Sequence, residues 1–128
     1  MSDKKTATTI FVTGTDTGVG KTLVAAALAL HLTEKGMKVG VMKPIETGVS
    51  NCKKLGQDAS LLKWASGSED ADDLVSPYRF SRPLAPCQPA TAEKSQIDTE
   101  LIFQAFEAMQ KDKDLVIVEG AGGLMVPI

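Results

Sequence analysis

The segment FVTGTDTGVGKT, residues 11–22, joins a short apolar run to three glycines, a lysine and a threonine. An apolar strand that turns through glycines directly into a helix restricts the chain to folds in which this turn lies at a sheet edge. A helix is predicted over Lys21–Lys35, where Val24, Leu28 and Leu32 recur at helical spacing. The segment therefore predicts the first strand, loop and helix of a βαβ unit.

Three short apolar runs predict parallel strands that are covered on both faces: Thr9–Gly14, Lys38–Lys43 and Leu115–Glu119. Two further helices are predicted over Gln57–Ala65 and Asp98–Lys111. This alternation indicates an α/β fold with a doubly wound, mostly parallel sheet and helices on both faces. Glycine and polar residues follow each strand, at the carboxyl edge where such sheets bind ligands.

The predicted helix Asp98–Lys111 has Asp98 as a suitable N-cap. Its expected core-facing residues are Leu101, Ile102, Ala105, Phe106 and Met109. The preceding stretch Ser66–Ser95 contains several prolines and an acidic cluster, so it is predicted to be mostly irregular, with the acidic cluster in solvent.

The composition fits one globular domain, because the chain has 128 residues, of which 43% are hydrophobic and 23% charged. A net charge of −2 provides no basic field for nucleic acid, and no apolar run approaches the roughly 18 residues of a membrane span. We therefore expect no nucleic-acid or membrane partner and a cytoplasmic location. Cys52 and Cys87 lack metal-ligand spacing and are predicted to be free thiols.

The glycine spacing Gly14-x3-Gly18-x-Gly20 is compatible with two kinds of nucleotide site. Short-chain dehydrogenases share it, but they need a Tyr-x3-Lys pair. Tyr78, the only tyrosine in this chain, has Arg82 and not lysine four residues on. Lys21 and Thr22 at the helix start instead favour a P-loop. In a P-loop the backbone amides and the lysine hold phosphates and the hydroxyl binds Mg²⁺. The one irregularity is Thr15, which stands where the strict P-loop pattern has its first glycine.

A P-loop also requires a carboxylate at a neighbouring strand end to hold Mg²⁺. Glu119 is the candidate, because a carboxylate that ends the apolar run LVIVE would be poorly solvated without a cation. Asp58 opens a predicted helix, so the sequence leaves both a capping role and a metal-binding role open.

Taken together, the motifs VTGTDTGVGKT, KPIETG, DASLL, SPYRF and VEGAGG resemble those of the dethiobiotin synthetase family, in the same order and at similar intervals. The resemblance extends from about Ile10 to Pro127. It implies a homodimeric P-loop enzyme that converts 7,8-diaminopelargonate, CO₂ and MgATP into dethiobiotin, ADP and phosphate. In that family a substrate amine forms a carbamate, ATP phosphorylates the carbamate, and the second amine closes the cyclic urea.

By position, the resemblance places Lys21 at the ATP phosphates and Thr22, Asp58 and Glu119 at Mg²⁺. Lys43 matches a lysine that faces the carbamate and the γ-phosphate, while Thr17 and Thr47 match positions beside the substrate. The implied nucleotide-binding and metal-binding set comprises Thr15, Asp16, Thr17, Gly18, Val19, Gly20, Lys21, Thr22, Asp58, Glu119, Gly120 and Gly122. His31 and Trp64 are expected to be structural, with Trp64 packed, and Arg79 and Arg82 are expected at a surface or interface.

Two other P-loop classes remain as alternatives. Partitioning-type ATPase switches usually carry an extra lysine near the start of the loop, where this chain has Asp16. A cobalamin-pathway amidotransferase domain is the other, although KPIETG and DASLL favour the synthetase. Because synthetases of the family are longer, residues 1–128 are expected to be the N-terminal part of a single domain, without its C-terminal remainder and inactive alone.

Overall fold

The structure, a computed structural model, describes residues 6–14, 20–81 and 97–121. These residues form five strands and four helices. In chain order the elements are β1 (Thr8–Val12), α1 (Lys21–Glu34), β2 (Val39–Met42), β3 (Ile45–Glu46), α2 (Gln57–Ser66), α3 (Asp72–Val75), β4 (Tyr78–Arg79), α4 (Thr99–Gln110) and β5 (Leu115–Glu119).

The main described sheet has the parallel order β1-β5-β2. Val12 is in register with Glu119 and Met42 with Val118, so the carboxyl ends of all three strands lie at one edge. Every residue of β5 is buried, as its continuous apolar sequence predicted. A second parallel pair, β3 with β4, brings Glu46 beside Arg79.

The helices form two groups around the strands. α1 packs against α2, and both contact β2, whereas α4 packs against α3 and contacts β2 and β5. The predicted α/β fold, with a parallel sheet and helices on both faces, is confirmed. The three predicted helices also agree with α1, α2 and α4 to within one residue at each end.

The buried face of α1 differs from the predicted one. Ala25, Ala26 and Ala29 are buried, while Val24 is 60% exposed. Small side chains on this face let α1 and α2 approach closely. Leu28 and Leu32 are partly buried and pack against the core as well, so of the three residues at helical spacing only Val24 lies outside it. In α4 the Asp98 side chain accepts a hydrogen bond from the Glu100 amide at 2.9 Å, which confirms the predicted N-cap.

The expectation that Trp64 packs in the core is wrong, because its side chain is 70% exposed. α2 buries Ala59, Leu62 and Ala65, and Trp64 lies about 200° around the helix from Leu62. Leu101 of α4 is likewise exposed, whereas Ala105 and Met109 of the same helix are buried.

Two expectations about polar side chains also need correction. Cys52 is disulfide-bonded rather than a free thiol. The spacing of cysteines along the sequence does not show whether two sulfur atoms meet in space. The only other cysteine, Cys87, and also Arg82 lie outside the described residues. The Arg79 side chain is only 11% exposed and contacts Asp73 at 2.8 Å, because β4 pairs with β3 and carries Arg79 inward.

The stretch that follows α2 contains two short elements, α3 and β4, among its described residues, and its part from residue 82 onward lies outside the described residues. Two of its acidic residues form ion pairs: Asp72 contacts Lys63 at 2.9 Å, and Asp70 contacts Lys113 at 3.2 Å. No helix of the described residues is long and apolar enough to cross a membrane.

Candidate functional site

A cavity of about 360 Å³ opens beyond the carboxyl ends of β5 and β2. Its lining includes seven of the residues predicted from the sequence: Gly20, Lys21, Thr22, Lys43, Thr47, Asp58 and Glu119. They converge because β5 lies between β1 and β2, so that the loops after these strands share one edge.

The N-terminus of α1 forms one wall of the cavity. Its N-cap is Gly20, which has φ 88° and ψ 18°, a left-handed conformation that only glycine adopts without strain. Lys21 and Thr22 follow as the first helical residues. A helix start presents unpaired N–H groups and a partial positive charge, so this wall suits an anion.

Glu119 is the most deeply buried ionisable residue of the site, with 1% of its surface exposed. Its Oε1 accepts a hydrogen bond from the Thr22 hydroxyl at 2.6 Å and another from Lys43 Nζ at 3.2 Å. Its Oε2 is buried and has no hydrogen-bond partner in the described part of the chain. A buried carboxylate oxygen without a donor is costly, so this oxygen is suited to a cation.

Lys43 connects the two candidate metal carboxylates. Its Nζ lies 3.2 Å from Glu119 Oε1 and 3.2 Å from Asp58 Oδ2. The lysine follows the last residue of β2, and its amide donates to the Val75 carbonyl at 2.8 Å, which fixes the backbone. The resemblance assigned Lys43 to the site, and its side chain is buried and lines the cavity.

More acidic than basic side chains line the cavity, a balance that suits a divalent cation. Lys21 and Lys43 are opposed by the carboxyl groups of Glu46, Asp58 and Glu119, two positive groups against three acidic ones. A triphosphate would meet no net positive charge from these side chains unless a metal ion accompanied it. No three His, Cys, Asp or Glu side chains of the described ranges form a metal cluster; Mg²⁺ needs only one or two carboxylates besides phosphates and water.

Glu46 is a site residue for which no role was predicted from the sequence. Its Oε1 accepts the Asp58 amide at 2.8 Å and its Oε2 accepts the Ala59 amide at 3.3 Å. The available signal was the start of α2, where Gly56 has no side chain with which to cap the helix. An acceptor from elsewhere in the chain was therefore required.

Burial raises the pKa of the Glu46 carboxyl above its ordinary value. The hydrogen bonds from the Asp58 and Ala59 amides act in the opposite direction, because they favour the ionised form. Asp58 adds repulsion, and Lys43 adds attraction.

The other predicted residues fall into two groups. Gly120 is described but does not line the cavity; its amide donates to the Val12 carbonyl at 3.0 Å. Thr15, Asp16, Thr17, Gly18, Val19 and Gly122 lie outside the described residues. The binding roles of all these residues stay predictions.

Comparison with known proteins assigns the chain to a family. The model of the AAA domain matches residues 8–128. A curated ATP-dependent dethiobiotin synthetase of Thermodesulfovibrio yellowstonii is 47% identical over 120 residues, which are 92% of this chain and 50% of the relative. Those of Methanococcus vannielii and Aquifex aeolicus are 42% and 43% identical over 119 residues each, 93% of this chain and 54% and 52% of the relatives.

The chain spans about half the length of the curated relatives that it matches. The AAA domain match covers nearly all of its residues, including every described element. The chain therefore belongs to the AAA domain family.

Proposed function

We propose that this chain provides the phosphate-binding and metal-binding half of an ATP-dependent dethiobiotin synthetase. The observation that carries the proposal is the convergence of Thr22, Lys43 and Asp58 around the buried Glu119, beside Lys21. Relatives that are 42–47% identical over this region are named for that activity.

Thr22, Asp58 and Glu119 would hold Mg²⁺, since a hydroxyl and carboxylates are hard oxygen ligands. The unpartnered Oε2 of Glu119 supports this assignment. When bound, the ion would neutralise charge on the ATP phosphates. Asp58 is 44% exposed on its side chain, so it can face a ligand in the cavity while Glu119 lies behind it.

Lys21 and Lys43 would neutralise the anions of the reaction. Transfer of the γ-phosphoryl group to a carbamate brings two anionic groups together, so catalysis depends on positioning and on compensation of charge. Lys21, at the start of α1, would contact the phosphates. Lys43, at the end of β2 and in contact with Asp58 and Glu119, would face the carbamate and the γ-phosphate.

The remaining steps concern the diamine. One amine of 7,8-diaminopelargonate would combine with CO₂ and release a proton to give the carbamate. ATP would phosphorylate the carbamate oxygen, and the second amine would then attack the carbonyl carbon and expel phosphate. Thr47 lines the cavity and would contact this substrate. Thr17, outside the described residues, is proposed as a second substrate contact. Homodimer formation and a cytoplasmic location belong to the same proposal.

The proposal is tested on a full-length protein that contains this chain, incubated with diaminopelargonate, [¹³C]bicarbonate and MgATP. Mass spectrometry should detect a cyclic urea that carries one ¹³C atom, formed only when all three substrates are present. Lys43→Met should abolish the labelled product, whereas Lys54→Met, at an exposed lysine outside the cavity, should not. ATP hydrolysis that proceeds without the diamine and gives no urea would instead indicate an ATPase switch.

A further inference from the structure

The amino end of α2 is capped by a residue of another element. An α-helix begins with unpaired amides, which a side chain at the N-cap normally satisfies. The N-cap here is Gly56, with φ −73° and ψ 179°, and no side-chain cap is formed locally. The amides of Asp58 and Ala59, the second and third residues of the helix, donate to Glu46 of β3 instead.

The absence of a side chain at Gly56 leaves space for this carboxylate. A Cβ atom at position 56 would lie 2.5 Å and 2.7 Å from the two Glu46 oxygens, closer than such contacts occur. Glu46 itself is 4% exposed. A side chain at position 56 and the carboxylate of Glu46 therefore exclude each other, so the glycine and the distant acid act as a pair.

The backbone of Glu46 is anchored on its own side. Its carbonyl accepts the Phe80 amide at 2.8 Å, and β3 pairs with β4 in register at Arg79. The carboxylate therefore connects the small sheet to α2. Asp58 lies at this connection: its amide is held by Glu46, and its side chain reaches Lys43 at 3.2 Å.

We propose that Glu46 is a positioning residue of the metal site, which holds the amino end of α2 so that the Asp58 carboxylate faces the cavity beside Lys43 and Glu119. This inference rests on the proposed function, because the assignment of Asp58 to Mg²⁺ is part of it. Both Glu46 oxygens accept helix amides, so we assign Glu46 to holding Asp58 in place rather than to the metal ion itself.

The test measures metal binding rather than turnover. Mn²⁺ is titrated into the full-length protein with a non-hydrolysable ATP analogue, and free Mn²⁺ is followed by electron paramagnetic resonance. Glu46→Ala should weaken Mn²⁺ binding about 10-fold or more, the usual effect of losing a group that orients a metal ligand. Glu46→Gln, which keeps one acceptor oxygen, should lie between Glu46→Ala and the wild type. Glu107→Gln, at an exposed glutamate of α4, is the matched control and should change nothing.

Asp58→Asn separates the two proposals. If it weakens Mn²⁺ binding and neither Glu46 variant does, Asp58 is a ligand but Glu46 does not position it, and the inference fails alone. If Asp58→Asn also binds Mn²⁺ normally, the metal assignment fails and the inference with it. Should Glu46→Ala not fold, Glu46→Gln decides by the same measurement.

A compensating pair tests the geometry directly. Gly56→Ser alone should weaken Mn²⁺ binding, because its Cβ displaces the Glu46 carboxylate. In the Glu46→Ala background the same serine has room, and at an extended N-cap its hydroxyl can accept a helix amide. The double variant should therefore bind Mn²⁺ more tightly than Glu46→Ala. Losses that simply add in the double variant would overturn the inference.

Discussion

The Thr22 hydroxyl donates to Glu119 Oε1 at 2.6 Å, although the two residues lie 97 positions apart in sequence. The contact exists because β5 adjoins β1, so that the end of β5 lies beside the helix that follows β1. It joins the residue after the P-loop lysine to the buried carboxylate. The hydroxyl thus already has a partner on the side where a metal ion is proposed.

Replacing Thr22 by valine should destabilise the protein and weaken its use of magnesium. The variant leaves Glu119 with Lys43 as its one hydrogen-bond donor among the described residues. Loss of a hydrogen bond to a charged group costs about 1.5–3 kcal/mol. Urea unfolding measures the free-energy change, and Thr22→Ser, which keeps the hydroxyl, should stay near the wild type. Equal stability of the valine and serine variants would contradict the assigned hydrogen bond.

Lys21→Ala in the full-length enzyme should lower turnover by roughly 10²–10³-fold, the scale for deleting one preorganised group that stabilises developing charge. Lys21 lies at the first helical position and lines the cavity. Steady-state production of dethiobiotin gives the change, with Lys53→Ala as an exposed-lysine control. Near-normal turnover in a folded Lys21→Ala protein would remove Lys21 from the phosphate site.

The parts of this site that follow strand ends could be predicted from sequence. β5 agrees with its predicted bounds because a continuous apolar run can only be a covered strand or a buried helix, and its length favours a strand. Glu119 was located for the same reason, whereas the role of Lys43 came from the resemblance to the synthetase motifs. Glu46 could not be found in this way, because β3 and β4 are two residues long each and produce no periodic pattern.

The buried faces of the helices were predicted less well than their bounds. Hydrophobic spacing indicates which side of a helix is apolar, but α1 packs through alanines and leaves Val24 outside. Which apolar residue is covered depends on where the neighbouring helix lies, and that is a tertiary property. For the same reason, the sequence did not predict that Trp64 of α2 and Leu101 of α4 are exposed.

Met109→Ala and Leu101→Ala should therefore differ, although the sequence placed both residues on one face of α4. Met109 is fully buried and Leu101 is exposed. Truncating the buried methionine should cost about 2–5 kcal/mol of unfolding free energy, since it loses apolar burial and leaves a cavity. Leu101→Ala should stay within about 0.5 kcal/mol, as exposed substitutions do. Comparable losses in urea unfolding would show that Leu101 is covered in the folded protein.

The contribution of Glu46 to the free energy of unfolding should decrease as pH rises. Burial raises the pKa of its carboxyl above the ordinary 4.5, so the folded state binds this proton more tightly than the unfolded state. Its contribution is therefore full below pH 4.5 and is lost as pH increases through the higher folded pKa. Urea unfolding of the metal-free protein and of Glu46→Gln at several pH values isolates the effect. The wild type should lose stability relative to the variant on going to higher pH; a relative gain would contradict the burial effect.

The 128-residue chain by itself should bind MgATP weakly and form no dethiobiotin at a useful rate. The glycine loop, the start of α1 and the proposed metal carboxylates all belong to residues 14–119, so the anion site can form within the chain. Turnover also requires that carbamate, γ-phosphate and second amine are oriented together, and that orientation draws on binding of remote parts of both substrates. The relatives are about twice as long as this chain, and we assign the remote contacts to that additional length.

Calorimetry with ATP and Mg²⁺, with Lys21→Ala as the control, should detect binding that the variant loses. Product formation within tenfold of the full-length enzyme would show that the chain alone holds every group that the reaction needs.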